Sequence, residues 1–222
     1  MICHLGKYNP SLGKPAINGF QNGDGNGENV KVDHTYKLYY GGAQKRPDGN
    51  YVKIIRNVEG KAVAEVGQSN RKDVRNAVEA AFKAQPNWAK KSAFNRAQIL
   101  FYIGENLQLR QNEFAAKLAN LTGISLENAE KEVDKSVDRL FYWASYADKY
   151  GGTVQETQLY GTVIKIHEPV GIIGIACPDE NPLLSFISLL APAIARANSV
   201  VIVPSESYPT LALDMYQVFD TR

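Results

Sequence analysis

Few residues in this chain have the types that could do chemistry. Cys177 ends an apolar run, Gly171-Ile-Ile-Gly-Ile-Ala-Cys177. A thiol acts as a nucleophile when a base or a positive neighbour lowers its pKa, but no histidine lies near Cys177 in sequence, which favours a small apolar core thiol. Cys3 and His4 are metal-ligand types, yet two ligands in a glycine-rich leader make a poor site, and no metal is expected. Glu206, in Pro204-Ser-Glu206, is a carboxylate near a helix start, where the macrodipole favours negative charge. Phe141, Tyr142, Trp143, Tyr146 and Tyr150 offer either a stacking platform for a base or core packing beneath a sheet; sparse basic residues among them favour packing. His34 and His167 have no partnered cysteine or carboxylate pattern. There is no Ser-His-Asp arrangement, Walker loop or zinc spacing.

The elements that position these residues follow from periodicity. Gly171–Cys177 and Ser199–Val203 are short β-branched runs of the kind buried on both faces of a parallel sheet. Between them Pro182 suits a first helical position, and Leu183 to Ala197 is apolar on nearly every side, a buried helix that Pro192 should bend. Asn198 is the expected left-handed stop. Thr210 to Phe219 is a second helix, so strand, helix, strand, helix implies half of a nucleotide-binding parallel sheet. Upstream, residues 36–42 and 49–55 read as strands around a Pro47-Asp-Gly49 turn, with a third strand over 61–66. Helices are expected from Ser69 or Asn70 to about Ala84, ended by Pro86-Asn-Trp88, then over 93–109, 113–121 and 126–150, the last capped by Ser125. The charges Glu127, Glu130, Lys131, Glu132, Asp134 and Lys135 read as a solvated helix face. Residues 151–166 alternate apolar and polar, suggesting one or two antiparallel strands with one wet face. Residues 1–35 read as a flexible tail or linker, because 18–29 is dense in Gly and Asn with little to bury.

Four motifs in register resemble the aldehyde dehydrogenase superfamily: Glu168-Pro-Val-Gly171, the spacing of Pro178 and Pro182, Ala191-Pro-Ala193 with Asn198, and Pro204-Ser-Glu206 with Pro209. Trp88, Arg96, Thr122-Gly123 and Tyr146-Ala-Asp-Lys-Tyr-Gly151 extend the likeness upstream. The resemblance implies an α/β fold over residues 36–222: an incomplete Rossmann-type parallel sheet, preceded by a helical segment and an antiparallel oligomerisation arm at about 153–166. It also implies NAD, with Pro178, Ser205 and Glu206 at the cofactor site. A carboxylate such as Glu206 favours a free ribose 2′-hydroxyl over a 2′-phosphate. Two departures fall on the chemistry. Glu180 occupies the position of the asparagine whose amide helps bind the oxyanion, and a carboxylate offers acceptors only. Val203 occupies the position of the lysine beside the ribose. NAD binding is therefore expected to be weak or absent, and no residue of the chain is expected to be catalytic. The family's cysteine nucleophile and glutamate base belong to a later domain that the sequence does not reach.

With 25 Lys and Arg against 23 acidic residues, a net charge of +2, and no basic tract, nucleic acid is not implied. The longest apolar run is too broken to span a bilayer, and two cysteines 174 positions apart suit a cytoplasmic protein. Three functions compete. The first is a non-catalytic fragment of an aldehyde dehydrogenase-family oxidoreductase, retained for interaction or structure and most like the second module of aldehyde dehydrogenase family 16. The second is a truncated form of an active NAD-dependent enzyme, and the third a nucleotide-binding module without redox chemistry. The expected partner is a protein, or a second copy, engaged through the 153–166 arm.

Overall fold

The structure is a computed structural model that describes residues 4–5, 32, 34–158 and 160–219. In chain order its elements are β1 (His4–Leu5), β2 (His34–Tyr36), β3 (Leu38–Tyr40), β4 (Ala43–Lys45), β5 (Val52–Arg56), β6 (Ala62–Ser69), α1 (Arg71–Ala89), α2 (Ala93–Leu109), α3 (Gln111–Thr122), α4 (Leu126–Tyr146), β7 (Thr153–Gln155), β8 (Val163–Lys165), β9 (Ile172–Ala176), α5 (Pro182–Ala195), β10 (Ser199–Val203) and α6 (Pro209–Phe219). The flexible-tail reading of 1–35 lies largely outside the described residues. Its boundary moves, however, because β2 begins at His34, and β1 pairs in parallel with Gln68 and Ser69 of β6.

The expected hairpin of 36–42 with 49–55 does not form. β3 pairs with β4 instead, across Gly41 and Gly42. Both glycines have positive φ, 65° and 75°, which is what a two-residue turn matching strand twist requires. β5 pairs antiparallel with β6. The Pro47-Asp-Gly49 turn is present, closed by Asn50 N–H on the Pro47 carbonyl at 3.0 Å, but it joins two different sheets.

α1 is capped by Asn70 rather than Ser69, in a reciprocal box with Asp73. It does not stop near Ala84. Pro86 removes only the bond to the Phe82 carbonyl, on an exposed turn. Just before it Gln85 accepts from Ser199 N at 2.7 Å and donates to the Ala197 carbonyl at 3.0 Å, and just after it Trp88 donates to the Ile194 carbonyl at 3.1 Å. Those three bonds hold the last turns of α1 against the end of α5 and the start of β10.

α2, α3 and α4 form a helical layer around Leu100, Leu107, Phe114, Leu118, Val133 and Leu140, all buried. Gly123, with φ 75°, ends α3, and Ser125 caps α4. α2 crosses α4 where Gly104 faces Phe141; a Cβ at Gly104 would lie 2.8 Å from the Phe141 ring. We expect Gly104→Val to cost about 1–3 kcal/mol by overpacking, read as a lower urea midpoint with an unchanged slope. Two expectations about α4 are corrected. Its buried stripe is Ala129, Val133, Val137, Leu140 and Ala144, so the ring of Tyr142 falls off the stripe; the helix ends at Tyr146, short of Tyr150, and both rings lie exposed. Phe141 and Trp143 are half-buried and pack against the core as expected, whereas Tyr142, Tyr146, Tyr150 and His167 form a surface column, with the Arg196 guanidinium 3.9 Å from the Tyr150 ring. Glu132 is not on a solvated face, being only 6% exposed.

β9 and β10 run parallel in register from Ile172↔Ser199 to Ala176↔Val203, with α5 as the crossover. Pro182 is the first residue of α5 as expected, and the helix continues through Pro192. The left-handed residue after α5 is Ala197, φ 64°, not Asn198. Asn198 instead donates to the Ala193 carbonyl and accepts from Gly171 N–H at 2.9 Å, tying the helix end to the start of β9. On the far side Asp214 of α6 accepts from Tyr36 Oη at 2.8 Å and pairs with Lys117 at 3.0 Å, fastening α6 to β2 and α3.

β7 and β8 form the expected antiparallel arm, with Val154 opposite Ile164. Both faces are largely exposed, and among the described residues no element covers either.

Candidate functional site

In an open parallel sheet, ligands bind at the carboxyl ends of the strands. Here that edge is built by the turn 177–181 after β9 and the segment 204–208 after β10. Two left-handed or restricted residues shape the first turn: Pro178 opens it, and Asn181, φ 45°, delivers the chain into Pro182. Asn181 makes no side-chain cap to α5. The cap comes from another helix. Glu132 of α4 accepts from Leu183 N at 3.0 Å and Leu184 N at 3.2 Å, so a buried carboxylate occupies the positive end of α5. Burial pushes the Glu132 carboxyl above the ordinary carboxylate range, opposed by those two N–H groups.

The turn and the segment are clasped together by Asp179. Its carboxylate accepts from Ser205 Oγ at 2.6 Å, Ser207 Oγ at 2.7 Å and Ser207 N at 3.2 Å. The Ser205 hydroxyl, with Ser207 and the backbone behind it, holds Asp179 below the usual carboxylate range. Ser205 is 2% exposed, its proton is committed to Asp179, and its oxygen accepts from Tyr208 N at 3.0 Å. The clasp therefore places Ser205 as part of the wall rather than as a group presented to a ligand.

The sequence-derived site residues separate accordingly. Pro178, Glu180 and Glu206 are exposed on the same edge. Glu180 contributes its carbonyl to Ser185 Oγ at 2.8 Å. Val203 lies at the end of β10, where its carbonyl accepts from Cys177 N at 2.9 Å. Cys177 is half-buried, and burial pushes its thiol up to about 11, so it stays protonated and is an inert core group. Among the described residues no group of His, Cys, Asp and Glu could hold a metal. Cys3 lies outside them, so the Cys3–His4 pair is not described.

Sequence reasoning missed three residues: Asp179, Glu132 and Lys53. Asp179 was within reach, since a βαβ unit brings its two carboxyl-end loops together and one carries an acid, the other two serines. Glu132 and Lys53 act across 51 and 153 positions, for which nothing local gives a signal. The Lys53 ammonium, from β5, donates to the Glu206 carbonyl at 3.1 Å and stands 3.6 Å from its carboxylate.

A parallel βαβ unit behind an antiparallel segment and a helical layer defines an α/β class of protein. The comparisons narrow it. The aldehyde dehydrogenase family model matches residues 44–221, and the chain belongs to that family. It is 29% identical over 191 residues to aldehyde dehydrogenase B of Escherichia coli, covering 85% of this chain and 37% of that protein. It is 31% identical over 185 residues to acetaldehyde dehydrogenase 2 of Cupriavidus necator, covering 82% and 37%. A betaine aldehyde dehydrogenase double mutant from Staphylococcus aureus, crystallised with NAD+, superposes with a TM-score of 0.80 at 24% identity, over 83% of this chain and 38% of that one. An NAD-dependent aldehyde dehydrogenase from Sinorhizobium meliloti gives a TM-score of 0.80 at 23% identity. The chain spans under two-fifths of the length of these relatives, so the incomplete sheet is the first portion of their fold. No helix of the described residues is long and apolar enough to cross a membrane.

Proposed function

We propose that this chain is a non-catalytic portion of an aldehyde dehydrogenase-family oxidoreductase, retained for interaction or structure, in the manner of the second module of family 16. One observation carries this reading. Glu180 stands where the reaction needs a hydrogen-bond donor for an oxyanion, and its side chain supplies negative charge on the same exposed turn. Preorganised donors at such a position are worth about 3–4 kcal/mol of barrier, roughly a hundred- to a thousandfold in rate, and a carboxylate opposes the developing charge as well. Asp179 adds a second carboxylate one residue away. The arm is the proposed partner surface: Val154 is 72% and Ile164 63% exposed, opposite one another on one face of a hairpin that packs on no other element among the described residues.

The alternative, a truncated form of an active NAD-dependent enzyme, is favoured by the dehydrogenases among its relatives. One assay tests the non-catalytic reading. Incubated with NAD and short- or long-chain aldehydes, the chain is expected to produce no NADH above a heat-killed control. Turnover above that background overturns the non-catalytic reading.

A further inference from the structure

We infer that the solvent face of α2 is a self-association surface, on which a second copy of this chain docks its own α2 antiparallel about a two-fold axis between Phe101 and Tyr102. This goes beyond the proposed function, whose partner surface is the arm, and does not rest on it. The residue types on the face set it apart. α4 exposes Glu127, Glu130, Lys131, Asp134, Lys135 and Asp138, an ordinary solvated face. α2 instead exposes four large apolar side chains: Phe94 is 60%, Phe101 37%, Tyr102 44% and Leu109 85% accessible. Amides lie between them, and Glu105 is the only charged residue among the exposed positions of α2. Aromatic enrichment with depletion of charge is the composition of an interface centre rather than of a free surface.

The order of those residues names the occupant. Across a two-fold axis residue i meets j and j meets i, so the face has to complement itself when read backwards. About a centre between Phe101 and Tyr102, the exposed positions pair off as Phe94 with Leu109, Gln98 with Glu105, and Phe101 with Tyr102. Asn95 and Gln108 make the remaining pair. Every apolar residue meets an apolar one, and the carboxylate meets an amide whose N–H groups it can accept. An unrelated partner would require no such symmetry. Phe101 already rests on Phe141 of α4, with ring centroids 6.0 Å apart, so the centre of the face is held before a partner arrives. At about 150–250 Å² per aromatic side chain, the accessible parts of Phe94, Phe101 and Tyr102, together with Leu109, come to on the order of 400 Å² of apolar surface per copy. The polar residues between them bring the face to roughly 600 Å² a side, the low end of specific interfaces, so this dimer exchanges with monomer.

Oxidative cross-linking of the 222-residue chain tests this. Gln98→Cys and Glu105→Cys are introduced together. Within one helix the two positions lie about 10 Å apart along the axis, beyond the reach of a disulfide, so a bond between them has to join two copies. Copper-phenanthroline should convert this variant to covalent dimer, with the linkage between positions 98 and 105 identified by peptide mass mapping. Gln98→Cys with Lys131→Cys should give about tenfold less, as expected for thiols that meet only by collision. Two further changes, each added to the Gln98→Cys, Glu105→Cys chain, test the register. Phe94→Glu with Leu109→Glu sets like charges opposite one another and should cut the covalent dimer by about tenfold, whereas Phe94→Lys with Leu109→Glu sets opposite charges there and should keep most of it. Both positions are exposed, so the fold tolerates either change. If the 98 and 105 thiols give no more dimer than the 98 and 131 thiols, or if the two charge variants cross-link equally, the inference is overturned. The arm is untouched throughout, so association through it neither produces nor removes this bond.

Discussion

Replacing Glu132 by alanine should lower the thermal midpoint by roughly 6–12 °C, the largest single-residue effect expected in this chain. The first N–H groups of a helix have no partner within it. In α5 the usual local remedy is missing, since Asn181 is left-handed and its side chain caps nothing. Glu132 provides the remedy from α4 by accepting from Leu183 and Leu184. Removing it leaves the buried Leu183 N–H without a partner, opens a cavity between α4 and α5, and deletes two bonds to a charged acceptor. Such bonds are worth about 1.5–3 kcal/mol each, and burial of the carboxylate offsets part of that, leaving a net loss of about 3 kcal/mol. Glu132→Gln keeps a carbonyl acceptor of the same length and should lose less than half as much. Thermal melts followed by circular dichroism, with hydrogen exchange at the Leu183 and Leu184 amides, check this. A midpoint within about 2 °C of wild type would mean that water takes over the cap and that Glu132 is dispensable.

Glu132 also shows where the sequence stops being informative. The periodicity around it marks a helix, and the helix is there, but a carboxylate among five charged neighbours gives no sign that it turns inward. Regular patterns translate well. β10 covers Ser199–Val203 as its apolar run dictates, α2 covers Ala93–Leu109, and Pro182 and Ser125 open their helices. Punctuation translates less well. Pro86 reads as a breaker, yet the helix passes through it because Gln85 on one side and Trp88 on the other are bonded to the 194–199 segment; Asn198 reads as a left-handed stop, yet Ala197 takes that conformation because the Asn198 side chain is needed for Gly171 and Ala193. In each case a tertiary bond overrides a local preference. The candidate site divides the same way. Glu180, Glu206 and Val203 are visible in their motifs, whereas Asp179 and Lys53 acquire meaning only once two loops, and two sheets, are set side by side.

The isolated chain should associate, with itself or with another aldehyde dehydrogenase-type module, rather than remain a monomer. The structure narrows the reason. β10 is well covered: Val200, Val201 and Ile202 are buried, with Ala77 and Ala81 of α1 against Val201 on one face. β9 is not. Among the described residues it pairs only with β10, and Gly174 and Ala176 are open to solvent. An apolar groove of about 620 Å³ runs beside it, lined by Val170, Ile173, Ile175, Leu189 and Pro192, and Val170 is 86% exposed. The arm adds the Val154–Ile164 face and, among the described residues, two unpaired strand edges. At about 25 cal/mol per Å², covering even 200–300 Å² of such surface contributes roughly 5–8 kcal/mol, enough to offset the lower estimates of the entropic cost of association. Light scattering should give a mass above 24.5 kDa that falls on dilution. The double variant Val154→Asp with Ile164→Lys keeps a favourable cross-strand pair in the hairpin but removes its apolar face, and should shift the population toward monomer. If the wild type is already a compact monomer that melts cooperatively, the arm and the β9 edge do not drive association. If the wild type is oligomeric and the double variant is unchanged, β9 or the α2 face rather than the arm carries the contact.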